Sequence, residues 1–589
     1  MIAVRARHLA ADSTPSGVNT VFQQILDPVF GSLALSALVA VIPLATLFVL
    51  LGVFRVKAWK AALIGLVLSI ALAVLVWRMP PLQTMSATVE GALYGIIPIL
   101  WILVNALWVY RLTVITGWFE VLGERIRIIS NDQRILAILI AFCFGALLES
   151  LAGFGAPVAI SIAMLVAAGM KPVKAAVVSL LANTAPVAFG AMAAPIIALS
   201  GVTGIDIHLL AQMAGRQTPF LAMFVPLILV LIVDGVRGIR ETWPVAVVAG
   251  LAFAISQFIT SNFIAVEITD VVASVVTVIA VLLMLRVWKP KHTVEFEHED
   301  AAGSELSRAA GASAPSGGTG TQVAEPLADG AVKIDQSSRS RANLTWNAVM
   351  PYVVIIVVFS ISQIPIVKDF LAHAATIAFP WPGLDVTDAT GNPVATLYKL
   401  NVVGTGGTLL LLSGIIVAVL YRVKFRAALA AYAATIHQLR FTIVTVTAVL
   451  ALAYVMNLSG QTQSLGSALA SSGAFFAILS PAIGWLGVAI TGSDTSSNAL
   501  FGLLQVTAAE QAGLSPILMA ATNSSAGVLG KMLSPQNLAV AAAAASMAGK
   551  EGDLFRKLIW WSLGLLAVFT AFVYLQSTPV LGWMVPVAP

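Results

Sequence analysis

Charged residues are scarce in this sequence: Asp, Glu, Lys and Arg make up 10% of the 589 residues, whereas 59% are hydrophobic. A soluble domain carries about 25% charged residues, so this composition excludes a soluble globular protein and indicates an integral membrane protein. The net charge is +5, but the basic residues lie in loops between apolar runs instead of forming one patch. We therefore expect a lipid bilayer around the chain and no nucleic-acid partner.

Cysteine and histidine are too rare and too scattered for redox or metal chemistry. The single cysteine, Cys143, can form no intramolecular disulfide, and the six histidines show no metal-ligand spacing. There is no Walker loop and no haem or zinc motif, and the Gly-Phe-Gly at 153–155 is too short for a nucleotide fingerprint. The sequence therefore predicts no cofactor, no metal site and no enzyme, because a membrane enzyme would need a nucleophile–base pair or a metal site.

Apolar runs close to the roughly 20 residues that a membrane helix needs recur along the chain. They lie at about 34–54, 59–77, 91–111, 219–234, 243–262, 267–287, 347–364, 402–420, 441–457 and 556–575. Two less regular regions, 134–203 and 473–549, interrupt the apolar pattern with Gly, Pro, Ser, Thr and Asn. The pattern predicts an all-α polytopic membrane protein with 12 to 14 membrane helices, some of them broken or folded as hairpins.

A low-complexity segment divides the chain. Residues 289–345 hold 14 of the 59 charged residues and are rich in Gly, Ser and Ala, which is typical of a linker. We expect an N-terminal tail at 1–30 and a first membrane half at 31–288, with repeat 1 at about 91–235. The second membrane half is expected at 346–589, with repeat 2 at about 441–577.

Lys and Arg in short loops predict the orientation of the chain. Basic residues cluster near 55–60, 111–134, 237–240 and 421–426. If these loops lie in the cytoplasm, so does the linker, and both termini lie outside. The first irregular region is then entered from the inside and the second from the outside, as in the inverted repeats of transporters.

The two irregular regions contain the same sequence frame, 340 positions apart. Residues 183–195 (NTAPVAFGAMAAP) and 523–535 (NSSAGVLGKMLSP) share Asn, Gly, Met and Pro at identical spacing, and AGMKP at 168–172 resembles AGLSP at 512–516. Paired polar segments broken by Gly and Pro indicate the substrate site of a transporter. The alternative is that small-residue motifs recur by chance in apolar chains.

Two acidic residues stand at the breaks and are candidates for proton coupling. Glu149 lies between an apolar helix and the Gly-x-Gly-x-Pro sequence, and Asp494 lies near its counterpart in the second region. A carboxylate inside a bilayer costs about 2.5–3.5 kcal/mol unless it is protonated, paired or faces a cavity. Removal from water also favours the protonated form, as proton coupling requires. A helix cap or a structural salt bridge is the alternative role for Glu149.

Hydroxyl, amide and basic side chains near the breaks are candidates for binding an anion. The run from 491 to 498 is rich in hydroxyls and leads into a helix, whose N-terminus favours negative charge. A guanidinium or ammonium group would supply the countercharge. The alternatives are an interfacial anchor for the arginine and a topology charge for the lysine. The predicted substrate-binding residues are Asn183, Arg216, Ser493, Thr495, Asn523 and Lys531.

These motifs resemble the lactate permease family. The resemblance extends over about 21–580 and is strongest at 142–149, 152–160, 183–192, 215–217, 234–244, 491–500 and 530–536. The linker and the first 20 residues depart from the family's pattern. The resemblance implies a permease of the bacterial inner membrane that imports L-lactate, and often D-lactate and glycolate, with protons.

One alternative within transport remains, and a sensor is not expected. A sodium-coupled carboxylate carrier would use the same hydroxyls and the carbonyls of broken helices for Na⁺. A sensor would need a signalling domain, for which the linker is too short and too low in complexity. We expect small 2-hydroxy monocarboxylates and protons to be the partners of this chain.

Overall fold

A computed structural model of the chain describes residues 21–151, 153, 155–294, 341–373, 376–394 and 396–587. The first 20 residues and most of the expected linker lie outside the described residues. The helices of the first half are α1 (Leu33–Gly52), α2 (Ala58–Leu75), α3 (Pro81–Tyr94), α4 (Trp101–Ile115), α5 (Trp118–Arg127), α6 (Gln133–Leu136), α7 (Gly145–Leu151), α8 (Ala156–Ala167), α9 (Pro172–Ala182), α10 (Gly190–Thr203), α11 (Ile207–Ala222), α12 (Val225–Phe263) and α13 (Thr269–Val287). Short π-helical segments, Gly95–Leu100 and Ala137–Phe144, join α3 to α4 and α6 to α7.

The second half is also helical and carries a small β-structure in one loop. Its helices are α14 (Arg341–Ser362), α15 (Pro365–His373), α16 (Gly406–Leu420), α17 (Phe425–Ser459), α18 (Gln461–Ala470), α19 (Phe476–Thr491), α20 (Asp494–Gln511), α21 (Pro516–Lys531), α22 (Pro535–Ala544) and α23 (Glu551–Gln576). Strand β1 (Phe22–Gln23) pairs in parallel with β3 (Val386–Thr387), and β2 (Thr376–Pro380) pairs antiparallel with β4 (Leu397–Asn401). The loop at 365–400 is therefore folded, and its strands hold the segment that precedes α1.

The helices confirm a polytopic all-α membrane protein. Among the described residues, ten helices are long and apolar enough to cross a bilayer, or eleven if the bent pair Pro172–Ala182 and Val187–Thr203 is one span. Two shorter apolar helices, α8 and α16, come in addition. The expected range of 12 to 14 also included the two irregular regions, where several helices are too short or too polar to meet that criterion.

One helix is enclosed by protein instead of lipid. The span Gln133–Leu151 is buried over the whole of its apolar window, whereas only 33% of the corresponding window in α1 or α2 is buried. Helices α8, α9, α12 and α13 pack around it. A polar side chain near the end of this span can therefore form hydrogen bonds with protein groups. Such bonds lower the free-energy cost of placing it at membrane depth.

The internal repeat is visible in the order of elements. In each region a helix is interrupted at a left-handed glycine, Gly155 (φ 85°) or Gly492 (φ 74°), and the chain folds back as a hairpin. Each hairpin ends at a second left-handed glycine, Gly169 (φ 97°) or Gly513 (φ 70°). A proline-initiated helix follows in both cases, α9 or α21. Only glycine adopts positive φ at no steric cost, so the AGMKP and AGLSP sequences predict the same turn.

The two repeats exchange contacts reciprocally. Helix α10, after the second break of repeat 1, packs on α20, after the first break of repeat 2. Helix α22, after the second break of repeat 2, packs on α8, after the first break of repeat 1. Such an exchange is the pattern produced by a pseudo-twofold axis between repeats. The opposite membrane orientation of the repeats, derived from loop charges, stays a prediction.

Arg134, which belongs to one of the basic loops in the sequence, is fully buried at the start of the enclosed helix. Its guanidinium lies 2.7 Å from an oxygen of Asp132, 3.0 Å from Asp234 and 2.9 Å from Glu241. It also donates to the carbonyl of His292 at 2.6 Å. A guanidinium can serve several carboxylates at once because it has five donors in one plane. This network ties the entry of the first hairpin to the break in α12 at 234–235.

Candidate functional site

The most prominent ionic contact between the repeats joins Glu149 to Lys531. The Lys531 Nζ atom donates to Glu149 Oε1, and the two residues are only 6% and 2% exposed. Asn183 Nδ2 donates to the other carboxylate oxygen, Oε2, at 2.9 Å. We call these three residues the carboxylate–lysine cluster. Three of the predicted site residues, widely separated in the sequence, are thus brought into contact.

The backbone around Glu149 leaves room for its carboxylate. Glu149 lies in the last turn of α7, just before the first break, and Gly190 faces it across the cluster. A Cβ atom at Gly190 would lie 3.1 Å from Glu149 Oε1 and 3.2 Å from Cγ. That spacing is tighter than ordinary van der Waals contact, so glycine lets the second break approach the carboxylate closely.

The second break of repeat 1 is strained. After α9 ends, Ala191, Met192 and Ala193 adopt left-handed conformations with φ of 46°, 55° and 60°. A residue other than glycine rarely adopts this conformation, and such strain is concentrated at functional sites. The break presents Asn183 and Gly190 to Glu149 on one side of the cluster.

Lys531 is held by the corresponding break of repeat 2. It is the last residue of α21, and its carbonyl accepts a hydrogen bond from Asn537 Nδ2 at 3.0 Å. Ser534 caps α22 by accepting the backbone N–H of Asn537. A Cβ atom on Gly155 would lie 3.3 Å from Asn537 Oδ1, so the first break of repeat 1 also reaches this position. The breaks of the two repeats therefore converge on one place.

A second polar group, the amide network, consists of Asn498, Gln505 and Asn523. Asn523 Nδ2 donates to Asn498 Oδ1 at 2.9 Å, and Asn523 Oδ1 accepts from Gln505 Nε2 at 3.2 Å. Asn498 Nδ2 continues to the carbonyl of Pro195 at 3.0 Å, across the repeat boundary. All three side chains are fully buried. The predicted binding residue Asn523 therefore already has protein partners on both ends of its amide.

Asp494 lies next to this network in repeat 2. Its Oδ2 accepts a hydrogen bond from Ser524 Oγ, and its Oδ1 is buried with no hydrogen-bond partner among the described residues. Asp494 thus bonds within its own repeat, whereas Glu149 bonds to the other repeat. It stays a candidate for proton coupling, as the sequence predicts.

The hydroxyl-rich tip begins α20. Ser493 is the N-cap: its Oγ accepts the backbone N–H of Ser496 at 3.3 Å. Thr495 is buried in the first turn of the same helix. The role predicted for both as ligands of a carboxylate stays a prediction, but the cap already occupies one lone pair of Ser493.

Arg216 is not part of the carboxylate–lysine cluster. Its Nε donates to Asn262 Oδ1 at 3.0 Å, and its Nη1 donates to the carbonyl of Met584 at 2.7 Å. These bonds tie α11 to the end of α12 and to the C-terminal segment. The neighbouring Gln217 points to repeat 2 instead, where its Nε2 donates to Thr522 Oγ1 at 2.9 Å. Substrate binding by Arg216 stays a prediction that the geometry does not favour.

Sequence reasoning missed several buried polar residues around the cluster. Asp270 and Gln257 are both fully buried on α13 and α12, and Gln257 Nε2 donates to Asp270 Oδ1 at 2.9 Å. The signal that indicates Asp270 is a carboxyl group at the start of an otherwise apolar span. Gln257 carries no comparable signal, because it is a single uncharged residue inside the predicted apolar run 243–262.

The ammonium group of Lys531 and the carboxylate of Glu149 compensate each other's charge. If either partner of a buried ion pair is removed, the other is left as an uncompensated charge at a cost of about 3–5 kcal/mol. Among the described residues there is no group of three or more His, Cys, Asp or Glu side chains that could hold a metal ion. The carboxylate–lysine cluster thus holds one ammonium group, one carboxylate and one amide side chain in mutual contact.

Comparisons with known proteins identify the family of this chain. The family model described as L-lactate permease matches residues 36–580. The chain is 40% identical to the L-lactate permease of Bacillus subtilis (strain 168) over 584 residues, which cover 96% of this chain and 99% of that relative. It is also 40% identical to the glycolate permease GlcA of Escherichia coli (strain K12) over 567 residues, or 94% and 98% of the two chains. The solved structure of MtrF from Neisseria gonorrhoeae aligns over 84% of each chain with 15% identity and a TM-score of 0.42.

Proposed function

The chain belongs to the L-lactate permease family, and on that premise we propose that it imports L-lactate, D-lactate and glycolate by proton symport across the bacterial inner membrane. It is a multi-pass membrane transporter, not an enzyme. The single observation that carries the proposal of proton symport is the buried pair of Glu149 and Lys531 between the two repeats.

The substrate carboxylate takes the place of Glu149 at Lys531. Both are carboxylates, and Lys531 is the basic residue of the cluster. If Glu149 stayed ionised after losing Lys531, a bare charge would remain in a buried place, at a cost of about 3–5 kcal/mol. Glu149 therefore takes up a proton as the anion binds. Anion and proton enter together, which is symport.

In this proposal the 2-hydroxyl group of the substrate binds Asn183. Its amide reaches the carboxylate that the substrate replaces, and it has both a donor and an acceptor. Gly190 and Gly153 both lie close to the Glu149 carboxylate, so no side chain stands between these two backbone positions and the place that the substrate takes. These contacts fit a small 2-hydroxy monocarboxylate such as lactate or glycolate.

The position of the pair also suggests how access alternates. Glu149 belongs to the first hairpin of repeat 1, and Lys531 belongs to the second break of repeat 2. A movement of one repeat relative to the other must separate or replace this contact. Inverted repeats expose a site alternately to the two sides by such a movement.

The first experiment measures uptake of labelled L-lactate into proteoliposomes with an inward proton gradient and no sodium, and then with a sodium gradient alone. We expect accumulation with the proton gradient, and competition by D-lactate and glycolate. E149Q should lose accumulation against a gradient, and E149D should retain part of it. Accumulation by E149Q equal to that of the unaltered protein would show that Glu149 does not carry the coupling proton.

The sodium-coupled carrier gains no support from the comparisons. It is tested in the same experiment, because accumulation that needs sodium and ignores the proton gradient would contradict proton symport. The hydroxyls of the tip at 491–498 would then be candidates for ion ligands.

A further inference from the structure

We propose that the side chain of Ala191 limits the size of the C2 substituent that the site accepts, and so restricts the substrates to 2-hydroxy acids no larger than lactate. This inference rests on the proposed function, because it takes the substrate carboxylate to occupy the place of Glu149 at Lys531. It assigns a role to one methyl group in the strained break of repeat 1.

The methyl group of Ala191 borders the place that the substrate takes. A Cβ atom built on Gly153 would lie 3.5 Å from the Ala191 methyl carbon and 3.9 Å from Glu149 Oε1. The methyl group and this carboxylate oxygen therefore border the same small space beside Gly153. Oε1 is also the oxygen that accepts the hydrogen bond of Lys531, so in the proposed step it marks the position of the substrate carboxylate. A substituent on C2, the carbon next to that carboxylate, then comes close to Ala191.

Ala191 holds its methyl group in an unfavourable backbone conformation. Its φ of 46° lies in the left-handed region, which glycine adopts at no steric cost and alanine does not. Glycine at this position would remove the strain, and the preceding residue, Gly190, is already a glycine. A strained residue of this kind supports a hypothesis of function. The function that we assign to the methyl group is contact with the substrate.

Ala193, two residues further on, shares the strain but not the position. Its φ is 60°, and it is fully buried. It belongs to a different group of buried apolar side chains from the group that contains Ala191. A substitution at Ala193 therefore shows the effect of relaxing the break without removing the methyl group beside Gly153.

One position of the shared frame supplies two sides of the site. Ala191 and Lys531 are equivalent in the frame, 340 positions apart. Lys531 donates to Glu149 Oε1, and Ala191 brings its methyl group to the space beside the same oxygen. Equivalent residues meet in this way when two inverted repeats enclose one site. On this inference, the copy in repeat 2 binds the carboxylate and the copy in repeat 1 limits the C2 substituent.

The size of the expected effect follows from the chemistry of the substituent. One methylene group in a closely fitting apolar pocket changes discrimination between substrates by about 10–200-fold. The C2 ethyl group of 2-hydroxybutyrate is one methylene longer than the methyl group of lactate. Replacing Ala191 by glycine removes one methyl group from the wall, which makes room for that methylene.

The test compares A191G with the matched control A193G in proteoliposomes. Entry of labelled glycolate, L-lactate and L-2-hydroxybutyrate, whose C2 carries hydrogen, methyl and ethyl, is measured at one low concentration. Exchange against internal L-lactate at equal pH makes the result independent of the coupling ion. We expect A191G to raise the rate for 2-hydroxybutyrate relative to lactate by about tenfold or more, and A193G to leave this ratio within about twofold.

A ratio for A191G within about twofold of that of the unaltered protein would overturn the inference. An equal rise in A193G would also overturn it, by assigning the effect to relaxation of the break, and so would equal rates for lactate and 2-hydroxybutyrate in the unaltered protein. If A191G does not fold, A191S replaces it. Its added hydroxyl narrows the space and should lower the rate for lactate relative to glycolate; an unchanged ratio would overturn the inference. Failure of the proposed function is seen separately, as an unaltered protein that exchanges none of the three acids.

Discussion

In repeat 1 the chain leaves helical geometry at Asn183, whereas in repeat 2 the corresponding Asn523 lies inside α21. Asn183 follows its turn glycine, Gly169, by 14 residues, and Asn523 follows Gly513 by 10 residues. The difference of four residues is about one helical turn. The same sequence frame is therefore unwound in one repeat and helical in the other, and only the unwound copy places its asparagine on Glu149.

The acidic residues of the two repeats differ in the same way. Glu149 pairs across the repeat boundary with Lys531, whereas Asp494 bonds to Ser524 in its own repeat. In the shared frame, the position of Lys531 is occupied in repeat 1 by Ala191, which has no charge to offer. Two copies of one frame thus produce a single ion pair and, on our proposal, a single substrate site.

The largest expected effect comes from removing the base of that pair. K531M leaves Glu149 without its cation in a buried place, at a cost of about 3–5 kcal/mol, and makes repeat 2 resemble repeat 1. We expect lactate uptake to fall by about 100-fold or more, with K531R retaining part of it. The control is K557M, which removes an exposed lysine of α23. Uptake by K531M close to that of K557M would contradict the role of the pair.

Gly190 and Gly530 occupy the same position of the shared sequence frame, and substituting each by alanine compares the two repeats directly. A Cβ at Gly530 would lie 2.2 Å from the carbonyl oxygen of Trp485, a backbone atom that cannot move aside, whereas a Cβ at Gly190 would press on the Glu149 side chain. We expect G530A to lose stability by about 1–3 kcal/mol or more, seen as a lower melting temperature in detergent. G190A should stay folded and lose transport. Equal melting temperatures for the two variants would contradict the assignment of a packing role to Gly530 and a transport role to Gly190.

A smaller effect separates the two asparagines. Asn523 bonds to both Asn498 and Gln505, and Asn183 bonds to Glu149. We expect N523A to lower stability by about 1 kcal/mol, because it removes two polar contacts and one such contact between membrane helices contributes about 0.6 kcal/mol on average. N183A should change stability less and should reduce lactate uptake more than N523A does. The reverse order in uptake would place the substrate at the amide network instead.

The sequence predicts the membrane fold and the repeat well, because both depend on local patterns. Apolar length indicates the spans, and the Ala-Gly-x-x-Pro sequences indicate the left-handed turns at Gly169 and Gly513. Glu149, Asn183 and Lys531 stand out singly as polar residues at breaks in apolar segments. Their contact is not predictable from one sequence, since Glu149 and Lys531 are 382 positions apart and only the folding of both repeats brings them together.

The partners of several other polar residues leave no such pattern in the sequence. Arg134 lies beside a loop with other basic residues, and nothing local shows that three carboxylates surround it. Arg216 precedes an apolar segment, which is why the sequence predicts a countercharge there. In the fold its guanidinium donates to Asn262 and to the carbonyl of Met584. Asp270 resembles an ordinary acidic residue at a helix start. In each case the decisive partners come from distant helices.

The Glu149–Lys531 pair has a consequence for the energy source of transport. On the proposed cycle the pair is neutral before binding, and after binding it is replaced by a lactate–lysine pair beside a protonated Glu149, which is also neutral. An elementary charge that crosses the membrane is worth about 2.3 kcal/mol per 100 mV, but on this cycle no net charge crosses. The membrane voltage then does no work on lactate, and the concentrations of lactate and protons alone set the direction. A cell rich in internal lactate would export it through the same protein.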